Sequence, residues 1–219
     1  MPSTSPGSVR WANQFYASDD EYLFALADAL REEYQAIVDS GLVLQIDDPL
    51  LPTVWDQMLP DVDEGAYQQA CETRVEAVNR ALRGIPRERV RLHVCWGSWH
   101  GPHASDVPLK TLMPLLRRLD VGAFVVEAGN VRHQHEWETW RELDDDRLVI
   151  PGVVSHATDT IEHPELVAFR IRQFADVVGR ERVIAGTDCG LGYRVHPQIG
   201  WAKLRALAEG ARLASTALW

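Results

Sequence analysis

The stretch Gly41-Leu42-Val43-Leu44-Gln45-Ile46-Asp47 decides the fold class of this chain. Its apolar run Leu42–Asp47 suits a β-strand buried on both faces, as the strands of parallel sheets are. A long helix is predicted just before it, because Ser18–Glu21 has the Ser-x-x-Glu form of a capping box and apolar residues follow at three-and-four spacing. Gly41 suits the left-handed C-cap that ends such a helix. The pattern therefore predicts a helix followed by a buried strand.

The helix–strand unit recurs to the end of the chain. After an exposed lead-in over residues 1–17, further helices are predicted at roughly 63–83, from Asp106, at 133–142, at Pro164–Val178 and from Pro197 onward. The predicted strands are Leu42–Asp47, 90–95, Ala123–Glu127, Leu148–Ile150 continuing into Gly152–Val154, and Arg182–Gly186. Because helices and strands alternate without a hairpin signal, we predict an α/β fold with a parallel sheet and helical crossovers.

Composition limits the class of protein. The chain has 219 residues, 46% of them hydrophobic, which is enough to bury the core of a single domain over 1–219. Its formal net charge of −10 argues against nucleic acid or an anionic membrane as a partner. No run approaches the roughly 18 apolar residues of a membrane span. Cys71, Cys95 and Cys189 are too few and too far apart for a disulfide framework, so we expect a reduced, cytoplasmic protein.

Each predicted strand ends in residues that can bind a ligand or a metal. These residues are Asp47 and Asp48, His93 and Cys95, Glu127, His156, and Asp188 with Cys189. In parallel α/β proteins the carboxyl ends of the strands form the binding site. We therefore expect one site assembled from all of these strands.

Four of these residues form a candidate zinc set: His93, Cys95, Glu127 and Cys189. Imidazole, thiolate and carboxylate groups are all zinc ligands. Two thiolates would make the metal a poor generator of hydroxide but would suit it to holding a substrate thiol, which indicates alkyl transfer to sulfur. The alternative is that Cys95 and Cys189 are buried apolar cysteines and His93 is a core histidine.

The sequence resembles a known family over about residues 5–205. The matching pieces are Leu44–Pro49, His93-Val94-Cys95, Val126-Glu127 and Asp188-Cys189-Gly190-Leu191. They are similar to the C-terminal catalytic domain of cobalamin-independent methionine synthase and its relatives, which include the epoxyalkane–coenzyme M transferases. Three further segments are closer to the coenzyme M transferase branch: Trp96–His103, Arg132–Glu136 and Glu162–Glu165.

This resemblance implies a (βα)8 barrel and zinc bound by His93, Cys95, Glu127 and Cys189. It implies that Asp47, with Asp48 beside it, helps to hold the thiol substrate, in the synthases by its amino group. The synthases also carry a histidine proton donor after the seventh strand. His156 lies in the comparable loop and is our candidate catalytic residue, although its spacing from Gly152 is one residue shorter.

Further candidates for substrate binding are Trp96, His100, His103 and Arg132. Trp96, His100 and His103 lie just past the His-x-Cys strand and could line the mouth of the pocket. Arg132 could bind an acidic tail of the substrate through bidentate contacts. The alternative for the histidines and the arginine is that they are merely solvated surface residues.

Chain length indicates an incomplete barrel. A (βα)8 barrel takes about 250 residues, and the sequence predicts about five C-terminal βα units of one. Such a sheet would leave open edges at strands 42–47 and 182–186, so we expect an oligomer or a partner chain to cover them.

Three functional classes are compatible with the sequence. The first is a zinc-dependent transferase that moves an alkyl group, methyl in the synthases, to homocysteine. The acceptor could instead be another small thiol, as in coenzyme M alkylation. The second is a zinc-binding module or fragment without turnover, and the third is a metal-free structural remnant.

Overall fold

The computed structural model describes residues 1–9, 11–61, 63–98 and 103–219. Its contacts divide the chain into two compact units. The first unit comprises Met1–Trp96 and Ser105–Ala123, and the second comprises Gly97–Ala104 and Phe124–Trp219. The single domain over 1–219 stays a prediction. No helix in the described ranges is both long and apolar enough to cross a membrane.

The first unit is built on parallel strands in the order β1-β2-β3. These strands are β1 (Pro2–Thr4), β2 (Leu44–Asp48) and β3 (Val90–Val94). The helices are α1 (Asp19–Asp39), α2 (Leu50–Gln57), α3 (Glu64–Ala81) and α4 (Leu109–Arg117), with 3-10 turns at Pro6–Ser8 and Arg87–Arg89. Leu44, Ile46, Leu92 and Val94 are fully buried, whereas Gln45 and Asp47 are half-buried, so the prediction that this strand is buried on both faces was wrong. Leu42 and Val43 are exposed and precede β2, which begins two residues later than predicted.

The predicted N-cap forms at the start of α1, but the Glu21 side chain bonds the residue before the cap and not the cap itself. The Ser18 hydroxyl accepts the Glu21 backbone N–H at 3.1 Å, and the Glu21 carboxylate accepts the Ala17 N–H at 3.1 Å. Helix α1 ends at Asp39, and Gly41 follows with a φ of +86°, in the left-handed region that favours glycine. The sequence therefore predicted both ends of this helix.

The prediction of an exposed lead-in over residues 1–17 was wrong at its beginning. Pro2–Thr4 form strand β1, which pairs in parallel with β2. The Tyr34 hydroxyl donates a hydrogen bond to the Thr4 carbonyl and fixes the strand from α1. Three residues that include a proline are too short to show alternation, so only the tertiary partner reveals this strand. As a consequence, β1 covers the edge of β2 that we expected to be open.

The second unit contains strands in the order β4-β5-β6. They are β4 (Ala123–Glu127), β5 (Leu148–Val154) and β6 (Gly186–Thr187), with β5 and β6 parallel. The helices are α5 (Pro164–Val178) and α6 (Pro197–Leu218), with 3-10 segments at Gln134–Glu142 and Arg180–Arg182. One core cluster joins Val153 and Val154 of β5 to Val167 and Ile171 of α5 and to Ala214 of α6.

The last strand begins later than we predicted. Gly179 has a φ of +92°, and the 3-10 turn Arg180–Arg182 occupies the predicted start of the strand. Val183 makes only an isolated bridge to Val149, and regular pairing begins at Gly186. The strand thus ends one residue beyond the predicted boundary, at Thr187, and the helical turn takes up its predicted first residue, Arg182.

Candidate metal and substrate site

In the first unit, β2 and β3 place an acid, an imidazole and a thiol on one face of the sheet. Asp47 pairs in register with His93 across the parallel ladder, so their side chains leave the same face. Cys95 lies two residues beyond His93 and shares that face. A ring nitrogen of His93 and the Sγ of Cys95 lie within 4.8 Å of each other, and the two residues are 5% and 8% exposed. The predicted His-x-Cys pair therefore converges at the strand end.

Asp47 and Asp48 face opposite ways, as neighbours on a strand do. Asp47 is half-buried, and its Oδ1 accepts the Gln45 side-chain amide at 2.8 Å. Asp48 is 1% exposed, and its Oδ1 accepts the backbone N–H groups of Leu50 and Leu51 at 3.0 and 3.2 Å. Burial raises the pKa of Asp48, while these N–H groups act in the other direction. The contacts of Asp48 therefore anchor the start of α2.

In the second unit, three acidic or imidazole side chains meet at the strand ends. Glu127 closes β4, His156 follows β5 and Asp188 follows β6. One ligand-capable atom of each lies within 4.8 Å of the others, and the residues are 3%, 4% and 0% exposed. The expected gathering of polar residues at the carboxyl ends is thus present within this unit.

Asp188 is the most constrained member of this cluster. Its Oδ1 accepts the N–H groups of Ala128 and Gly129, both at 2.8 Å. Its Oδ2 is buried and, within the described part of the chain, has no hydrogen-bond partner. Burial, and then the nearby Glu127 carboxylate, raise the pKa of Asp188 to about 7. A buried carboxylate oxygen beside a second carboxylate fits a site for a cation.

Gly152 allows Asp188 to reach this position. A Cβ added at Gly152 would lie 2.3 Å from Asp188 Oδ1 and 2.4 Å from Asp188 Cα and N. The pairing of β5 with β6 also shifts register between Gly152 and Val154. The absence of a side chain at Gly152 therefore lets the β6 turn approach β5 closely.

The remaining predicted site residues lie in varied surroundings. Cys189 directly follows Asp188 and is half-buried. Trp96 is 4% exposed, and its indole N–H donates to the Val107 carbonyl at 2.9 Å in the first unit. His103 is half-buried, while Arg132 is exposed and donates to the Ala104 carbonyl at 3.1 Å. His100 lies outside the described residues.

Sequence reasoning missed a buried ion pair in the second unit. Lys203 of α6 is 0% exposed and lies 3.0 Å from the Glu162 carboxylate, which is 7% exposed. The helix offers one signal that could have revealed it. Gly200, Ala206 and Gly210 are buried at helical spacing, and Lys203 falls on the same stripe. A lysine on a buried stripe needs a partner.

The donor chemistry of both units fits zinc. The first unit offers an imidazole and a thiol, and the second offers carboxylates, an imidazole and the Cys189 thiol. These are the groups that hold zinc in proteins.

Comparison with known proteins assigns the chain to a family. Residues 7–212 match the family model described as the catalytic domain of cobalamin-independent synthase. A methionine synthase of Saccharolobus solfataricus is 27% identical over 215 residues, which cover 96% of this chain and 56% of that protein. A methionine synthase of Sulfolobus acidocaldarius is 25% identical over 193 residues, covering 86% and 48%.

A solved structure supports the fold. The B12-independent methionine synthase of Shewanella sp. W3-18-1, in complex with selenomethionine, superposes with a TM-score of 0.77 at 22% identity. The match covers 99% of this chain and 62% of that one, so the predicted α/β fold of the (βα)8 barrel type, present in part, is confirmed. The chain spans only about half the length of its curated relatives, 56% for the Saccharolobus protein. Because the family model covers most of the sequence, the chain belongs to the cobalamin-independent synthase catalytic-domain family.

Proposed function

We propose that this chain carries the zinc-dependent transfer of a methyl group to the thiol of homocysteine. The observation that carries the proposal is the His93–Cys95 pair beside Asp47 at a strand end, in a chain of this family. The curated relatives are named methionine synthases, which supports homocysteine as the acceptor. The Shewanella protein was solved with selenomethionine, the selenium analogue of the thioether that this transfer would form.

For the metal we propose four ligands: His93, Cys95, Glu127 and Cys189. The local convergence of His93 with Cys95, and the burial of Glu127 at the end of β4, support this set. When bound, zinc would keep a substrate thiol deprotonated at neutral pH while leaving it nucleophilic. Asp188 belongs beside this set, because its carboxylate fixes the backbone just after Glu127.

The residues of the chain would then bind and orient the substrates. Asp47 shares a face with His93, so its carboxylate suits the ammonium group of homocysteine. In the transfer, a carbon–sulfur bond forms at the acceptor and the bond between the methyl carbon and its donor breaks. The acceptor thiol loses its proton, and the group that leaves the methyl donor must gain a proton. We propose that His156 donates the proton to this leaving group. Trp96, His103 and Arg132 remain candidate pocket residues. Asp48 binds the first N–H groups of α2, and we propose no role for it in the reaction.

Methionine formation from homocysteine and a methyltetrahydrofolate is the test. We expect turnover in the wild-type chain and a loss of at least about 100-fold in Cys189→Ser, since a metal ligand is removed. Cys71→Ser is the matched control, because Cys71 is a buried cysteine of α3 in the first unit. Burial raises the pKa of Cys71 to about 11, which makes it a poor ligand at neutral pH.

Substitute substrates separate the alternatives. Alkylation of coenzyme M by an epoxide, without methionine formation, would replace the proposal by the coenzyme M alternative. Zinc binding with no alkylation of either thiol would leave a zinc-binding module without turnover. We expect the reaction in the cytoplasm, where both the ligand cysteines and the substrate thiol remain reduced.

We also propose that a second copy of the chain covers an apolar surface formed by residues that follow Cys189. Leu191, Tyr193, Trp201 and Leu204 line a hollow of about 430 Å³ in the second unit. Tyr193 is fully exposed and Trp201 is 65% exposed, and exposed aromatic surface of this kind marks interfaces. Light scattering during size-exclusion chromatography should show a dimer that Trp201→Glu dissociates, and a stable wild-type monomer would contradict self-association.

A further inference from the structure

The loop between β5 and α5 carries His156. The buried carboxylate of Glu162, near the end of this loop, bonds back to its first residue. Glu162 Oε1 accepts the backbone N–H of Ser155 at 2.8 Å. Residues 155 and 162 are thereby joined across the whole loop. Ser155 is 5% exposed and Glu162 is 7% exposed, so water does not compete for this bond.

Lys203 reaches the same loop from α6. Its ammonium group lies 3.0 Å from Glu162 Oε2 and also donates a hydrogen bond to the Thr160 carbonyl. Lys203 is 0% exposed, although lysine is almost never fully buried without a partner. The ammonium thus binds one side-chain and one main-chain oxygen of the loop and holds it against α6.

We propose that the Glu162–Lys203 ion pair is a positioning device for His156. A buried ion pair adds little net stability, because removing both charges from water costs about as much as their attraction returns. What it does add here is a fixed geometry, since the loop is held at Ser155, Thr160 and Glu162 at once. His156 follows Ser155 directly, so the first of these three points fixes the backbone from which its imidazole extends. This inference rests on the proposed role of His156 as the proton donor.

Only a carboxylate at position 162 satisfies both donors. Its two oxygens accept from Ser155 and from Lys203 separately. A glutamine has one carbonyl oxygen, so Glu162→Gln leaves one donor without an acceptor. Lys203→Met has a similar length and removes the ammonium, which leaves Thr160 and Glu162 without their shared donor.

Amide hydrogen exchange measures the device independently of catalysis. In Glu162→Gln and Lys203→Met we expect the buried Ser155 amide, which donates to Glu162, to exchange about tenfold or more faster, while the amides of β5 change far less. Ala214→Gly is the matched control. Ala214 is buried in the same helix at its other end, so this variant lowers stability without contacting the loop.

Two outcomes would overturn the proposal. One is unchanged exchange of the Ser155 amide in both variants, and the other is the same increase in the control at equal overall stability. If a single variant fails to fold, Glu162→Gln with Lys203→Met removes both charges and leaves no unpaired buried ion. We expect that double variant to fold with a loosened loop, and wild-type protection in it would also refute the device.

Kinetics then connect the device to the chemistry. We expect the variants to keep the zinc content of the wild type and to lower kcat for methyl transfer by about tenfold, with KM for the thiol unchanged. An equal loss in kcat for the control would show a merely structural role and contradict the proposal. If the wild-type chain shows no methyl transfer but the loop loosens as described, the proposed function fails while the loop anchor stands.

Discussion

A methyl group added at Gly152 would collide with the backbone that carries the candidate metal residues. In Gly152→Ala the new Cβ would lie 2.3 Å from Asp188 Oδ1 and 2.4 Å from Asp188 Cα and N. Ordinary contacts of a Cβ begin near 3.4 Å, so the strands must separate by about 1 Å. Two of the three atoms belong to the main chain and cannot turn away as a flexible side chain could.

The energetic cost has two parts. Overpacking of a close-packed interior costs about 1–3 kcal/mol. Displacing Asp188 also weakens its two hydrogen bonds to Ala128 and Gly129, each of which contributes about 0.5–1.5 kcal/mol. We therefore expect Gly152→Ala to lower the free energy of unfolding by about 2–4 kcal/mol. Because Cys189 follows Asp188, the zinc content should fall as well.

Urea unfolding monitored by circular dichroism, with zinc analysis of the same samples, measures both effects. Gly186→Ala is the control in the facing strand β6. Its added Cβ would meet the Ile150 side chain at 3.3 Å, which can adjust, so we expect a loss below about 1 kcal/mol and normal zinc content. A Gly152→Ala protein within about 0.5 kcal/mol of the wild type and with normal zinc would refute the account of Asp188.

Further predictions concern packing and pH. Gly210→Ala should lower the free energy of unfolding by about 1–3 kcal/mol in thermal unfolding, because its Cβ would lie 2.4 Å from two atoms of Val167. Gly200→Ala, whose Cβ would lie 3.6 Å from Val195, should leave this free energy unchanged or raise it by up to about 1 kcal/mol through helix propensity. Equal effects of the two would contradict this packing. Since burial raises the pKa of Asp48, its contribution is full below the unfolded pKa of about 4 and is lost as pH rises through the higher folded pKa. Unfolding of wild type and Asp48→Asn across pH should show the wild type losing stability relative to the variant above about pH 4, and a constant difference would contradict it.

The parts of the fold that the sequence predicts are those with a strong local signal. The N-cap at Ser18 and the long amphipathic stripe after it are properties of neighbouring residues, and they appear in the structure as expected. Strand β1 has no such signal, because Pro2–Thr4 are held by pairing with β2 and by Tyr34. Elements that depend on a distant partner are not visible in their own few residues.

The candidate site follows the same division. That His93 and Cys95 converge could be predicted, because period-two alternation on a strand dictates it. That Asp48 anchors α2 could not, since the choice between neighbouring aspartates depends on which face the strand presents to the helix. The pairing of Glu162 with Lys203 joins residues far apart in sequence, and only the packing of α6 brings them together.

The zinc content of the purified protein tests the central claim most directly. Metal analysis under reducing conditions should find about one zinc per chain in the wild type and in Cys71→Ser, and far less in Cys189→Ser and His93→Ala. Circular dichroism should show that all four proteins keep their helices. Wild-type protein without zinc after incubation with the metal, or a Cys189→Ser protein that retains it fully, would contradict the proposed zinc site and the thiol chemistry built on it.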